Sequence, residues 1–537
     1  MHDYGPPMGY KCTHELAALY SSLIICKDTQ LTMLVVTTLI LILAILWYKF
    51  KLSNSSNGAP PLPPGPRSLP IVGYLPFISP NHLHTQLTDM ARTYGPIFKF
   101  KLGSKLHIVI STPELAKEVV RDQDETFSNR EQTIAGLVVS NGGQDIAFSN
   151  NPPTWRKLRK IFAYEMLSNK NLEASRFYRM EEVRKTVTNV FEKIGTNVNI
   201  REIVFATETR VLTRTIWESK GVKDENLADE IDMVSSNIFN LLGKGNMSDF
   251  FPILAPFDLQ GIARDMEKQR DKLDQLFTRI IEDRIQSNLK KSQEDEVSQE
   301  GKKDFLQVIL DYKDEKEATP LSMTQIKALL LDILLGGTET TASTTEWIMS
   351  NIMQNPNIMK RVQKELVEIV GTNNIVEESH LSKLQYLDAT IKETLRLYPV
   401  SPLLLPRSPK KTSVVGGYTI PKGCTIFVNV WAIQRDPRNW DDPLEFNPER
   451  FLTNKCDYKG NNLLFFPFGS GRRLCPGIPL AEKMLTFIMA SLLHSFDWSL
   501  PKGEKHDFTE EFHITMKKRN PLIAIPSQRL PDVSLYM

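Results

Sequence analysis

The sequence predicts a mainly α-helical chain with small β-sheets, folded as one large globule behind a single N-terminal transmembrane helix. Three observations predict it. Residues 155 to 400 read as helix almost throughout. Short alternating or apolar strands, punctuated by glycine and proline, lie on both sides of that stretch. Residues 31 to 48 form an apolar run without a charge.

That run, LTMLVVTTLILILAILWY, would span roughly 27 Å as a helix, close to a bilayer core. No small-residue cleavage site follows it. Trp47 and Tyr48 suit a membrane interface, and Lys49 and Lys51 place the rest of the chain on the cytosolic side. On that topology the sequon Asn246-Met247-Ser248 stays unmodified. Residues 1 to 30 read either as a lumenal tail, where Cys12 and Cys26 can pair, or as the product of an upstream start codon. Residues 49 to 66 form a linker ending in PPLPPGP (60 to 66), whose stacked prolines favour a stiff polyproline II strut. Residues 67 to 537 form the globule.

Phe98, Phe100 and Leu102 alternate with Lys99 and Lys101, Gly103-Ser104 turns, and His107 to Ile110 returns, which predicts a hairpin. Thr112-Pro113 then has the residues of an N-cap and first turn. The segment 288 to 304 is charged and nearly free of apolar residues, as a solvated loop would be. From 401 to 450 come short strands and proline-rich loops. With 65 basic and 63 acidic residues the chain gives no sign of a nucleic-acid partner. Its five cysteines form no C-x-x-C pair, so a zinc site is not expected.

Four clusters carry chemistry. The first is FPFGSGRRLCPGIPLA (466 to 481). Cys475 sits just before the helical run LAEKMLTFIMASLL, whose first N–H groups and dipole favour a thiolate. Gly477 would let backbone approach the sulfur and Gly471 permits a tight bend. The second is Leu329 to Thr345, where Gly336 and Gly337 interrupt a helix at about 1 kcal/mol each. The room they leave is their compensation, and Glu339 and Thr340 follow. The third is Glu393-x-x-Arg396 with Pro448-Glu449-Arg450-Phe451, in which two charges share one helix face. The fourth is Trp155-x-x-x-Arg159, one turn apart.

The first cluster matches F-x-x-G-x-R-x-C-x-G through Phe468, Gly471, Arg473, Cys475 and Gly477. The chain thereby resembles the cytochromes P-450, and the second, third and fourth clusters match further elements of that family. VNVWAIQRDPRNWDDPLEFNPERF gives it the look of a plant microsomal member, in the group with terpenoid and flavonoid hydroxylases. The resemblance implies a helix-rich triangular fold, haem b (iron-protoporphyrin IX), dioxygen, and NADPH as electron source through NADPH-cytochrome P-450 reductase, with cytochrome b5 as a further donor. It implies Cys475 as the iron ligand, shielded by Phe468, with Gly477 beside it. Trp155, Arg159, Arg407 and Arg473 would meet haem propionates, Thr340 would present a hydroxyl where dioxygen is activated, and Glu339 would relay protons. Glu393, Arg396 and Arg450 would lock the fold. Arg156, Lys157, Lys160 and Arg472 would meet the reductase.

The function expected is monooxygenation of a small apolar plant metabolite at the endoplasmic-reticulum membrane. The VSPLLLP run (400 to 406) and Leu334, Leu335, Phe239, Leu241, Phe250 and Phe251 favour a sesquiterpene or other terpenoid. A flavonoid or phenolic substrate is the alternative. A haem-thiolate isomerase or dehydratase without a reductase is another, against which Thr340 argues. His513 either narrows the pocket, bonds an oxygenated substrate, or lies on the surface.

Overall fold

The computed structural model describes residues 32–45, 47–48, 60–150, 152–217, 227–293, 304–313, 320–453 and 456–537. The chain divides into two units, Met1–Pro61 with Leu69–Ile71, and Leu62–Ser68 with Val72–Met537. In the first unit residues 32–45 and 47–48 are helical. Thr37 and Thr38 donate their hydroxyls to Met33 O (2.7 Å) and Leu34 O (2.6 Å), which hides them in an apolar helix. Among the described residues no helix is long and apolar enough to cross a membrane. Leu31 and Leu46 of the expected anchor, the tail 1 to 30 and residues 49 to 59 lie outside the described residues.

In the second unit the helices longer than ten residues are α1 (Leu83–Tyr94), α2 (Arg176–Glu192), α3 (Ile200–Trp217), α4 (Leu227–Gly243), α5 (Ile262–Gln293), α6 (Met323–Gly337), α7 (Glu339–Gln354), α8 (Pro356–Val370), α9 (Gln385–Leu397) and α10 (Ile478–Ser495). The strands are β1 (Ile97–Leu102), β2 (Lys105–Ile110), β3 (Asn129–Arg130), β4 (Val198–Asn199), β5 (Arg407–Ser408), β6 (Ser413–Val415), β7 (Tyr418–Ile420), β8 (Thr425–Val428), β9 (Phe496–Ser499), β10 (Glu510–Phe512), β11 (Met516–Lys518) and β12 (Ile523–Gln528).

The expected hairpin is β1–β2, with Ile97 opposite Ile110, and its alternation buries Phe98, Phe100 and Leu102. It opens a five-stranded sheet in the order β1-β2-β8-β5-β3. A three-stranded sheet runs β4-β12-β9, and β6–β7 and β10–β11 are separate hairpins. The helices form the larger core. α6 is apolar on nearly every side, with Ile326, Leu329, Leu330, Ile333 and Leu334 all buried, as a helix surrounded by protein must be. A capping box starts it: Ser322 Oγ accepts the Gln325 N–H (3.2 Å), and Gln325 Oε1 accepts the Ser322 N–H (3.0 Å). It breaks at Gly336-Gly337, and α7 resumes the run against α3.

Three expectations are corrected. Thr112 stands at the N-cap of Pro113–Lys117 but makes no capping bond with its side chain. α5 continues to Gln293, so the charged segment begins as helix; residues 294–303 lie outside the described residues. The proline segment is no free strut at its C-terminal end, because Pro64 O accepts the Lys99 N–H at 2.7 Å and so covers the outer edge of β1. Asn246 of the sequon is buried, and its Oδ1 accepts the Ser248 N–H.

The Glu–Arg–Arg cluster is assembled as expected. Arg396 Nε and Nη2 reach Glu393 Oε2 (2.7 Å) and Oε1 (2.8 Å), and both side chains are fully buried. Arg450 Nε is 3.4 Å from Glu393 Oε1. Arg396 spends its remaining donors on the carbonyls of Gln434, Pro443 and Glu445. Asn447 N–H donates to Glu393. α9 is thereby tied to the loops that lead to the cysteine. Arg396→Met strands a buried carboxylate. It should cost about 3–5 kcal/mol in chemical unfolding, whereas the partly exposed pair Lys185–Glu181 should cost under about 1 kcal/mol when broken.

Candidate active site

A cavity of about 340 Å³ lies among α3, α6, α7, α10 and the loop Pro467–Gly477. Cys475, Phe468, Arg473, Gly477, Arg159, Arg407 and Thr340 line it; Trp155 and Glu339 do not. Residues 277 or more apart in sequence, such as Arg130 and Arg407, are brought to it by the pairing of β3 with β5, where they are register partners.

The cysteine loop is held by its own backbone. Cys475 N–H donates to Phe468 O (3.0 Å) and Leu474 N–H to Gly471 O (3.0 Å). Gly471 has φ +69°, and a Cβ there would stand 1.8 Å from Val120 O, so only glycine fits. At Gly477 a Cβ would lie 3.6 Å from Cys475 Sγ, an ordinary contact. The demand for space therefore falls on Gly471 and not on Gly477. Burial pushes the Cys475 thiol up, while the N–H groups of Gly477 and Ile478 and the Arg159 guanidinium pull toward the thiolate. The helix start favours the thiolate, as expected, but burial opposes it, and a bound cation would stabilise the thiolate further.

Four guanidiniums line the same cavity. Arg473 is spent on a loop, donating to Ser128 O (2.7 Å), Ile146 O (3.0 Å) and Ser149 O (2.5 Å). Arg159 donates to Leu474 O. Arg130, which the sequence reading missed, donates to Ala147 O (3.0 Å) and Leu405 O (2.8 Å). Arg407 donates only to Ser470 O (3.2 Å), leaving Nε and Nη1 buried without partners. Burial, and then Arg473 and Arg407, push the Arg130 guanidinium well down. Burial lowers Arg407 to about 10. The nearby acids do not balance this charge. Asp332 is pushed up by burial and by Asp145, and Asp145 by burial, and their oxygens serve loop N–H groups: Ile146 N–H to Asp332 (2.5 Å), Ser149 N–H to Asp145 (2.8 Å).

Trp155 sits behind this shell. Its indole N–H donates to Ile146 O (3.0 Å) and its ring lies under the Arg473 guanidinium (4.2 Å to the centroid). In this arrangement it supports Arg473 and the loop. His513 likewise stays out of the lining; it packs on Gly243 and pairs with Glu511 (3.4 Å), and Ile514 and Thr515 face the cavity in its stead.

On the helical side, nothing lies within 4 Å of where a Cβ of Gly336 would stand, so this glycine opens space. Gly337 serves a different end: a Cβ would meet Leu212 at 2.6 Å, so its absence lets α3 approach. Thr340 donates its hydroxyl to Gly336 O (2.7 Å), which leaves the oxygen lone pairs free to accept a hydrogen bond from the cavity side. Glu339 points the other way, 3.6 Å from Arg201 on α3 and within 3.3 Å of Ser343 Oγ.

These residues fit a flat, dianionic iron porphyrin. A sulfur faces the cavity, unpartnered N–H groups and surplus positive charge await carboxylates, Gly336 leaves a gap, and Leu480, Met484, Met166 and Phe162 supply apolar wall. The sequence matches the cytochrome P450 family over residues 63–525. The chain belongs to the cytochrome P450 family. It is 38% identical to a carnosic acid synthase of Salvia pomifera over 482 residues, covering 88% of this chain and 94% of that one. It is 36% identical to a 3,9-dihydroxypterocarpan 6A-monooxygenase of Glycine max over 511 residues, covering 93% and 98%. A zebra fish cytochrome P450 solved with progesterone shares the fold, with TM-score 0.69 at 24% identity over 83% of this chain and 99% of that one. P450s are oxygen-incorporating oxidoreductases that carry haem and draw electrons from NADPH through a reductase. For this P450, the reduced protein with carbon monoxide should show the long-wavelength Soret band of a thiolate haem, and Cys475→Ser should abolish it. An unchanged band in the serine variant would remove Cys475 as the ligand.

Proposed function

We propose that this P450 hydroxylates a small apolar plant metabolite, a sesquiterpene or other terpenoid, using NADPH and dioxygen at the endoplasmic-reticulum membrane. The observation that carries the substrate class is the cavity wall: Ile146, Phe148, Phe239, Leu242, Leu335, Val400, Leu404 and Ile514 are apolar, with Ser401, Thr515, Asp332, Glu208, Thr340, Thr341 and Thr344 as polar groups among them. A flavonoid or phenolic is the second reading. It is favoured by the likeness to the pterocarpan monooxygenase, and by Ser401 and Asp332, which offer polar anchors.

Residues 31 to 48 anchor the chain, residues 49 to 66 link it, and the domain from 67 to 537 lies on the cytosolic side. The reductase docks at Arg156, Lys157, Lys160 and Arg472, with cytochrome b5 as a second donor. Arg156 and Lys160 are exposed, while Arg472 is already paired to Asp124 (3.1 Å) and Lys157 lies over the Tyr312 ring (5.4 Å).

Cys475 and the guanidiniums of Arg407, Arg130 and Arg159 would hold the haem, and Arg473 holds the loop beside them. The haem supplies the iron that activates dioxygen. Phe468 keeps water from the sulfur. Thr340 accepts, through its lone pairs, the hydrogen bond of a proton donor and so fixes that donor at the reacting side of the cavity. Glu339, turned toward Arg201, is the acid that brings protons to it.

The substrate is tested with membranes, reductase, NADPH and a mixed terpenoid and flavonoid panel read by mass spectrometry. An oxygenated terpenoid is expected; turnover confined to phenolics would overturn the first reading. Thr340→Ala should bind haem normally yet consume NADPH with little product, releasing peroxide, and Thr340→Ser should recover coupling. Equal product per NADPH in Thr340→Ala and the parent would remove the hydroxyl's role.

A further inference from the structure

Glu339, Ser343 and Glu346 stand at i, i+4 and i+7 of α7, on one face. Thr340, Thr341 and Thr344, which line the cavity, stand on another. The face with the acids is buried against α3 and against β11 and the start of β12. It is not apolar. Glu346 is fully buried; its Oε1 accepts the Leu522 N–H at 2.8 Å and its Oε2 meets no partner. Around it stand Arg201 of α3, Lys518 of β11 and Glu339 of its own helix. Arg201 is also the residue 3.6 Å from Glu339 Oε1, so one guanidinium acts on both carboxyl groups. Arg201 is partly exposed, and Lys518 donates to Asp507 O in a half-exposed loop, so this face reaches solvent at both edges.

A buried carboxylate with one oxygen unpartnered costs several kcal/mol, whereas the neutral acid has a proton to give and needs less solvation. Burial raises Glu346 to about 7, against the opposing pull of Arg201, the Leu522 N–H and Lys518. Such a group is loaded with a proton below neutral pH and empties as pH rises through its own value, which is where a proton carrier is most useful. Glu339 can hand on a proton only after receiving one.

We propose that Glu346 is the proton-holding residue that reloads Glu339, positioned for it by Arg201. The inference rests on the reading of Glu339 given above. Glu346 gives its carboxyl proton, through water, to the Glu339 carboxylate and becomes a carboxylate between Arg201 and Lys518. It then takes a proton back from solvent, so each cycle moves one proton inward and leaves the charge of the chain unchanged.

The test uses the full-length haem-loaded protein, as parent, Glu346→Gln and Glu339→Gln. The glutamine at 346 keeps the acceptor for Leu522 N–H and the shape of the neutral acid. Infrared difference spectra between about pH 6 and pH 9 should contain a protonated-carboxyl band titrating near neutral pH, absent from Glu346→Gln and kept in Glu339→Gln. With reductase, NADPH oxidation by the parent should fall as pH rises through about 7, and Glu346→Gln should be about fivefold slower below that pH with a flat profile. Persistence of the band in Glu346→Gln, or parental rate and profile in that variant, would overturn the inference. Glu339→Gln slowed beside an unaffected Glu346→Gln overturns the inference alone; Glu339→Gln at the parental rate overturns the role of Glu339 and the inference with it.

Discussion

Four guanidiniums face one buried cavity, and two N–H groups of Arg407 meet nothing there. Buried positive charge on this scale demands an anionic partner, because the two adjacent acids do not supply the compensation. Asp332 and Asp145 are drawn toward their neutral forms and already serve backbone N–H groups. The surrounding structure follows from this constraint. β3 and β5 exist as two-residue strands that set Arg130 beside Arg407. The loop from Asp145 to Ser149 is pinned by carboxylates through its N–H groups and by Arg473, Arg130 and Trp155 through its carbonyls. A dianionic porphyrin ligated by Cys475 relieves the imbalance, and for a P450 that is the cofactor.

The helical half answers a second constraint, the need for polar chemistry inside an apolar bundle. Its two glycines divide the work: Gly336 leaves space on the cavity side, and Gly337 admits Leu212 of α3. The break between α6 and α7 then presents Thr340 and Glu339 to different surroundings although they are adjacent in sequence. The hydroxyl oxygen faces the cavity and the carboxyl faces Arg201, so the helix itself separates the two groups.

What was legible in the sequence was what is written contiguously. The cysteine loop, the E-x-x-R pair, the double-glycine helix and the β1–β2 hairpin each carry their own signal in spacing or alternation, and each is found where expected. Arg130 was not legible, since a two-residue strand has no periodicity and its partner lies 277 positions away. The spacing of Trp155 and Arg159 fixes a shared helix face, but not that the indole N–H bonds to Ile146 O. The alternatives left open for His513 narrow to the one outside the cavity lining, and the cost of burying the Cys475 sulfur cannot be seen from a helix start alone. Glu346 was passed over because an acid in a helix reads as solvated until its surroundings are known.

The central claim is that the cavity's surplus positive charge is there to hold two carboxylates of a haem bound through Cys475. It is tested most directly by titrating the haem-free protein with haem and with haem dimethyl ester, whose carboxylates are masked, in the parent and in Arg407→Leu. The account predicts that the ester binds the parent at least about tenfold more weakly than haem, as loss of charge-assisted hydrogen bonds worth about 1.5–3 kcal/mol requires, and that Arg407→Leu narrows the difference. Equal affinity of the parent for haem and its dimethyl ester would contradict it.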